Sequence, residues 1–451
     1  MKRYPEYKDS GVEWIGEIPV HWGTEKIKNT QSDLIGGIWG NEPAENENDI
    51  YCIRVADFNY EQLTISNHNL TLRNIPLKKK DKRILKNYDL LVEKSGGGEK
   101  SPVGKTVMFN AEISRQSVTS NFITKFTAKS DSCFPKYLLY CLCFFYHIGL
   151  TRKHIKQTTG IQNLDIDSYF QERIPLPSLV EQIQIANFLD RKTEQIDELI
   201  RIKERRIELL QEQRTALINQ AVTKGLDPNV EMKPSGVEWI GEIPKHWEVK
   251  RIKYLASLIS KGTTPTTIGR EILHEGGIRF IKVENIINNQ LVFTPEHYID
   301  EETNQMLKRS QLKENDVLFV IAGTIGKVGL VRLVHLPANT NQAISFIRPH
   351  KNELPEFIYY WLQSDNIQKT VWLEVVQSAQ PNLSMENLGN LYMPYPSITE
   401  QHSIVDYITE NTQTITQLLQ QTYKQIELLK EYRQSLISEA VTGKIDVRNE
   451  A

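Results

Sequence analysis

Apolar residues recur in alternating four- and three-residue steps along two separated stretches of the chain. In the first stretch Leu189, Thr193, Ile196, Ile200, Lys203, Ile207, Leu210, Arg214, Leu217 and Ala221 fall on one stripe. In the second the stripe is Ile408, Thr412, Ile415, Leu419, Thr422, Ile426, Leu429, Arg433, Leu436 and Ala440. This is the a/d spacing of a coiled coil, and it predicts two long helices. Lys203 and Thr422, and likewise Arg214 and Arg433, interrupt the seam at matching places, where a polar residue costs stability but sets register and partner. Pro175-Leu176-Pro177-Ser178 and Pro394-Tyr395-Pro396-Ser397 precede the stripes, while Gly225 and Gly443 follow them, as start and stop signals should. The expected helices are 175–222 and 394–442. A seam of ~33 residues spans ~50 Å at 1.5 Å per residue. Alone it would expose a long apolar stripe, so the two helices are expected to pair as an antiparallel coiled coil.

The matching seams belong to a larger repeat. Ser10–Trp22 reads SGVEWIGEIPVHW and Ser235–Trp247 reads SGVEWIGEIPKHW, identical at twelve of thirteen positions at an offset of 225. Pro175–Asp227 and Pro394–Asp446 match at 21 of 53 positions at an offset of 219. Each copy therefore runs as a Trp/Pro block (1–22, and within the linker 223–247), a variable segment (23–174 and 248–393) and a long helix, with a tail at 443–451. The variable segments register weakly. Asp89-Leu90-Leu91-Val92 answers Asp316-Val317-Leu318-Phe319, Gly104-Lys105 answers Gly326-Lys327, and Tyr137–Tyr140 answers Phe357–Tyr360. Short β-branched runs such as Ile50–Val55 and Ile278–Val283, bounded by Gly, Pro and Asn, read as strands. The expected architecture is α+β: one fold used twice with different surfaces, separated by the two long helices. Gly443-Lys444-Ile445-Asp446 ends where a third copy would begin, which predicts a pseudo-twofold, nearly circular arrangement.

Composition narrows the function classes. The 451 residues carry 54 Lys and Arg against 56 Asp and Glu, so no global basic field exists and any nucleic-acid surface must be a local patch. Gly23–Ile174 holds 21 basic and 17 acidic residues, Glu248–Met393 15 of each. The longest charge-free apolar stretch, Tyr137–Thr151, has 15 residues, short of the ~20 a membrane span needs. Met1–Glu6 shows no apolar leader, and four cysteines make no disulfide framework. A soluble, cytoplasmic protein is expected.

Candidate chemistry is sparse. Gly96–Thr106 approaches a phosphate-binding loop, but Glu99 stands where that loop needs Gly, and a strand rather than a helix is expected to follow. Two readings stay open: a plain surface hairpin, or a flexible loop offering Lys94, Lys100 and Lys105 to a phosphate backbone. Thr324 and Lys327 would do the same in the second copy. Lys78, Lys79 and Lys80 open the densest basic run, either a solvated face or a sequence-independent backbone contact. Cys141 and Cys143 near His147 could hold a metal, yet Trp361 and Gln363 replace the cysteines in the second copy, which favours buried packing and no metal site. Trp14, Trp22, Trp239 and Trp247 read as packing anchors. There is no Pro-Pro pair for an amino-methyltransferase motif, no Walker loop, no dinucleotide fingerprint and no H-E-x-x-H. The pattern is that of a recogniser without catalytic residues.

Two variable domains alternating with two repeated helices resemble the specificity subunit of type I restriction–modification enzymes. The resemblance rests on the two Trp/Pro blocks and on Pro-x-Pro-Ser followed by Glu181-Gln182 and Glu400-Gln401. It rests also on the helix ends Leu217-Ile218 to Ala221-Val222-Thr223 and Leu436-Ile437 to Ala440-Val441-Thr442. In the second domain Lys261-Gly262-Thr263-Thr264-Pro265 and Gly276–Phe280 look like that family's target-recognition domain. Gly37-Ile38-Trp39-Gly40-Asn41-Glu42-Pro43 in the first domain departs from it. The resemblance implies that each domain reads half of a bipartite, asymmetric site on double-stranded DNA. It implies that the helices set the spacing and dock two methyltransferase subunits, with translocase/nuclease subunits joining them. It implies no cofactor in this chain, with S-adenosylmethionine, ATP and Mg held by the partners. The competing reading is a two-lobed coiled-coil scaffold that binds proteins only.

Overall fold

The computed structural model describes residues 2–450 except 77, 79–80, 100, 110–112, 114, 159, 376–381 and 449. It resolves into two compact units, Met1–Glu204 with Tyr423–Ala451, and Arg205–Thr422. The division falls inside both long helices, Leu179–Lys224 and Ile398–Val441.

The first unit is built on an antiparallel four-stranded sheet in the order Thr106–Met108, Leu90–Glu93, Ile123–Ala128, Gln31–Gly36. Its centre is the unbroken apolar run Leu90-Leu91-Val92, fully buried as a strand covered on both faces should be. Beside it lies a three-stranded sheet, Ser117–Thr119, Asp49–Ile53 and Thr71–Asn74, whose first pair is parallel. The apolar helix Pro135–His147 buries Tyr137, Leu138, Cys141, Leu142 and Phe145. Burial pushes the Cys143 thiol up to about 12 and the Cys141 thiol well above its ordinary value. Among the described residues no cluster of three His, Cys, Asp or Glu is placed to hold a metal ion.

The second unit repeats this plan. Its four-stranded sheet runs Val328–Leu330, Val317–Val320, Ile344–Pro349, Ala256–Lys261, and its three-stranded sheet again has one parallel pair, Ile278–Ile281 with Ala338–Thr340. In each unit a buried aspartate anchors the central strand. Asp89 accepts from Lys125 Nζ at 3.0 Å and Thr127 Oγ1 at 2.6 Å. Asp316 accepts from Arg348 Nε at 2.8 Å and from its Nη2 at 2.7 Å.

The long helices start later than the sequence pattern predicts. Pro175 and Leu176 belong to the strand Arg173–Leu176, which pairs with Gly23–Lys26; Tyr392–Tyr395 pairs likewise with Glu248–Arg251. The chain thus enters and leaves each variable segment side by side. Ser178 and Ser397 then cap the helices, their hydroxyls accepting from Glu181 and Glu400 N at 3.3 Å. The helices end at Gly225 and Gly443, both left-handed at φ 74° and 71°. Those glycines lie against Trp247 with Pro244, and Trp22 with Pro19, so the two buried tryptophans seat the helix ends. His21 and Tyr4 both reach Glu181, as His246 reaches Glu400.

Along the seams Leu189, Ile196, Ile200, Ile207, Leu210, Ile408, Ile415, Ile426 and Leu436 are buried, while Leu217, Leu419 and Leu429 are half-buried. In the first unit Lys203 Nζ donates to Gln425 Oε1 at 2.7 Å, and Arg433 Nε lies 3.0 Å from Asp197 Oδ1. In the second, Ile218, Ala221 and Val222 share a core with Ile404, Val405 and Ile408. The matching arginines are not equivalent. The repeat puts Thr416 where Asp197 stands, so the acid that faces Arg433 has no counterpart at the matching position for Arg214.

Candidate nucleic-acid interface

The glycine loop of the first unit leaves the central sheet at Glu93 and returns at Thr106–Met108, which is a strand and not the start of a helix. Ser95 and Gly96 pair instead with Asn163 and Gln162 of a hairpin, Ile155–Thr158 with Ile161–Leu164. Within the loop Gly98 N and Ser101 N exchange hydrogen bonds with each other's carbonyls at 3.0 and 3.2 Å. Gly97, at φ 59°, has no room for a side chain, since a Cβ there would stand 2.8 Å from Val103 N.

The lysines named from the sequence differ in setting. Lys94 is exposed, its backbone held by Phe122 O and Leu164 N. Lys105 is half-buried: its ammonium sits 4.1 Å from the Tyr60 ring centroid and donates to Ser101 Oγ at 3.0 Å. Lys78 is exposed, while Lys79, Lys80 and Lys100 lie outside the described residues. In the second unit Thr324 is exposed and Lys327 half-buried. Gln368 closes that loop by donating to Gly326 O at 2.9 Å.

Two features escaped the sequence reading. The first is that Gly37 and Gly262 do the same work. A Cβ on Gly37 would stand 2.0 Å from Ser120 O, and one on Gly262 2.0 Å from Thr340 O. Gly37 N donates to Ile123 O at 3.0 Å, and Gly262 N to Ile344 O at 3.1 Å. The residue after each donates to Thr119 O and Thr340 O. The segment 37–43, which departs from the second domain in sequence, therefore leaves its sheet by the same backbone notch. Only the glycine is needed there, so the neighbouring residues are free to differ.

The second is an open pocket of about 800 Å³ lined by Tyr60, Glu93, Gly97, Gly98, Glu99 and Lys105, with Val55 and Ala56 as apolar wall. Glu93 is 4% exposed, and burial pushes its carboxyl up to about 7 against the opposing pull of Lys105. The register of the two copies puts Val320, fully buried, at this position. A carboxylate opposite a valine in an otherwise apolar run was the available signal.

A family model described as type I restriction modification DNA specificity domain matches residues 42–211 and again 244–428. The MjaIX specificity subunit of a type I restriction enzyme from Methanocaldococcus jannaschii is 25% identical over 98% of this chain and 97% of its own length. The MjaVIII specificity subunit of the same organism is 25% identical over 75% of this chain and 76% of its own. The EcoBI specificity subunit of Escherichia coli is 26% identical over 76% of this chain and 73% of its own. A solved chain from work on complex assembly and conformational transition of the type I R-M system superposes with a TM-score of 0.70 at 14% identity. It covers 95% of this chain and 99% of that one, a likeness of fold.

Proposed function

This chain belongs to the type I restriction–modification DNA specificity family, and on that premise we propose that it is the DNA sequence-specificity subunit of such a complex. The observation that carries this reading is one sheet plan used twice, with the same glycine notch at Gly37 and Gly262 and with unlike residues around it. Two equal scaffolds with unequal surfaces suit two different half-sites, and each domain reads one half of an asymmetric DNA site. Phosphate contacts by Lys94, Lys100, Lys105 and Lys327, with Lys78, Lys79, Lys80 and Thr324, place the domains without reading bases.

The long helices, paired antiparallel, serve as a spacer, because half-site separation on DNA is a matter of geometry. Their outer faces carry exposed Leu199, Ile202, Leu209, Tyr423, Leu428 and Tyr432. Apolar residues left on a solvent face suit the docking of partner subunits. Methyl transfer and ATP-driven cleavage then belong to those partners, which hold S-adenosylmethionine, ATP and Mg, and this chain contributes recognition alone.

The test is DNA binding by the chain assembled with its methyltransferase partner, measured against a random-sequence duplex library at several salt concentrations. Enrichment of one bipartite sequence, with affinity falling as salt rises, is expected. Binding without sequence enrichment would contradict the function.

A further inference from the structure

The pocket beside the first glycine loop holds a group that the fold does not require. Val320 fills the corresponding position of the second unit and is fully buried there, so an apolar side chain suffices to complete this sheet. Glu93 instead brings a carboxylate to the same place. Burying such a group costs free energy unless a donor satisfies it. Among the described residues no hydrogen bond or ion pair holds the Glu93 carboxylate, although the residue is 4% exposed.

The surroundings keep that carboxylate accessible. It lines the open pocket together with Tyr60, Gly97, Gly98 and Lys105. Gly96 also leaves it uncovered: the nearest atom to a Cβ built there is Glu93 Oε1, at 3.6 Å. The loop above the pocket has ten residues between Glu93 and Gly104, where the second unit has five between Val320 and Gly326. The acid and the longer loop occur together in one domain and are both absent from the other.

A ligand entering the pocket displaces water from this acceptor and must donate in its place. The remaining wall is mixed, with apolar Val55 and Ala56, the Tyr60 ring with the Lys105 ammonium against it, and polar Glu99 and Ser101. Duplex DNA offers such donors as adenine N6 and cytosine N4 in the major groove, where guanine and thymine present O6 and O4 acceptors. A keto oxygen facing a carboxylate would leave two acceptors opposed. We infer that Glu93 is a specificity-determining residue: the pocket meets the major-groove edge of one base pair of the first half-site and accepts a hydrogen bond from the amino group of the base on the strand it faces, selecting adenine or cytosine there against guanine or thymine. The assignment rests on the DNA-reading function proposed above and adds to it the residue and the class of base.

The test uses the full chain in complex with its methyltransferase partner. Sequence selection from a duplex library is compared for the wild type, for Glu93→Val, which installs the residue of the second copy, and for Glu93→Gln. Glu93→Val is expected to lose about tenfold in discrimination at a single base pair of the first half-site. The other positions and the second half-site stay as they were. Glu93→Gln keeps the shape and offers an amide, so its preference at that same position moves to adenine or stays on it; it is the variant to read should Glu93→Val give no soluble complex. Wild-type selectivity in a folded variant overturns the assignment, as does a change spread over several base pairs or falling in the second half-site. A wild-type complex that selects no sequence overturns the DNA-reading function and the assignment with it.

Discussion

The carboxylate of Asp197, on the first long helix, lies 3.0 Å from Nε of Arg433 on the second. Arg433 is 8% exposed, and its Nη2 also donates to Glu61 O at 2.8 Å in the variable segment. One guanidinium thus ties both helices and the domain together in the first unit. Removing one member of a buried pair leaves the other charge stranded, whereas replacing both with apolar residues is often neutral. Asp197→Ala is expected to cost about 2 kcal/mol, tempered by the partial exposure of the aspartate. Asp197→Leu with Arg433→Met should recover most of it. Urea unfolding of the singles and the double gives the coupling, and additive losses would show that the pair is not linked.

The glycine notches give a sharper contrast. A Cβ on Gly37 or Gly262 would lie 2.0 Å from a carbonyl oxygen of the neighbouring strand, and backbone there cannot yield cheaply. Gly37→Ala and Gly262→Ala should each destabilise by about 3 kcal/mol or more, with soluble yield falling. Gly98→Ala, in the exposed loop with nothing within 4 Å of its Cβ, should be within about 0.5 kcal/mol of wild type. Thermal melts of the three variants check the ordering.

The Glu93 carboxyl adds a pH dependence. Burial raises it from 4.5 to about 7 in the folded chain, with Lys105 opposing. The folded state therefore binds more protons than the unfolded state between those values, and stability contributed at this site falls as pH rises through that window, then levels off. Glu93→Val removes the term, so the variant gains on the wild type by on the order of 2 kcal/mol between pH 4.5 and pH 8. Parallel denaturation curves at both pH values test this. An unchanged difference would mean that the carboxylate is solvated or held by a donor.

Much of this architecture was legible because it repeats. Leu189, Ile196, Ile408 and Ile415, which fall on the heptad stripes, are buried. The matching runs Asp89-Leu90-Leu91-Val92 and Asp316-Val317-Leu318-Phe319 lie at equivalent central strands, Leu90–Glu93 and Val317–Val320. Helix starts were placed too early because Pro175-Leu176 and Pro394-Tyr395 read as start signals, while the structure spends them on strand pairing and leaves capping to Ser178 and Ser397. The equivalence of Gly37 and Gly262 was hidden because a backbone notch constrains one residue and leaves its neighbours free. Arg214 and Arg433 looked alike because a seam pattern records position and not partner: the acid that distinguishes them, Asp197, lies far away in sequence. Glu93 was overlooked for the same reason, since a single acid in an apolar run acquires meaning only when the loop above it is placed.

The spacer reading makes a metric prediction. Inserting one heptad into each long helix, near Lys203 and Thr422, keeps the seam in phase and lengthens it by ~10 Å. The recognised half-sites should move apart by about three base pairs and keep their sequences, DNA rising ~3.4 Å per pair. A four-residue insertion in one helix alone should abolish activity by breaking the register. Methylation mapping of the double-heptad variant settles the point, and an active enzyme with an unchanged spacer would refute the ruler.

The central claim is that the two variable domains read DNA independently, and it is tested most directly by exchange. Gly23–Ile174 is replaced with the corresponding segment of another specificity subunit, the chimera is expressed with its methyltransferase partner, and methylated positions are mapped across a genome. The account predicts that one half-site changes to that of the donor while the other half-site and the spacer between them persist. A chimera in which both half-sites change, or neither does, would contradict it.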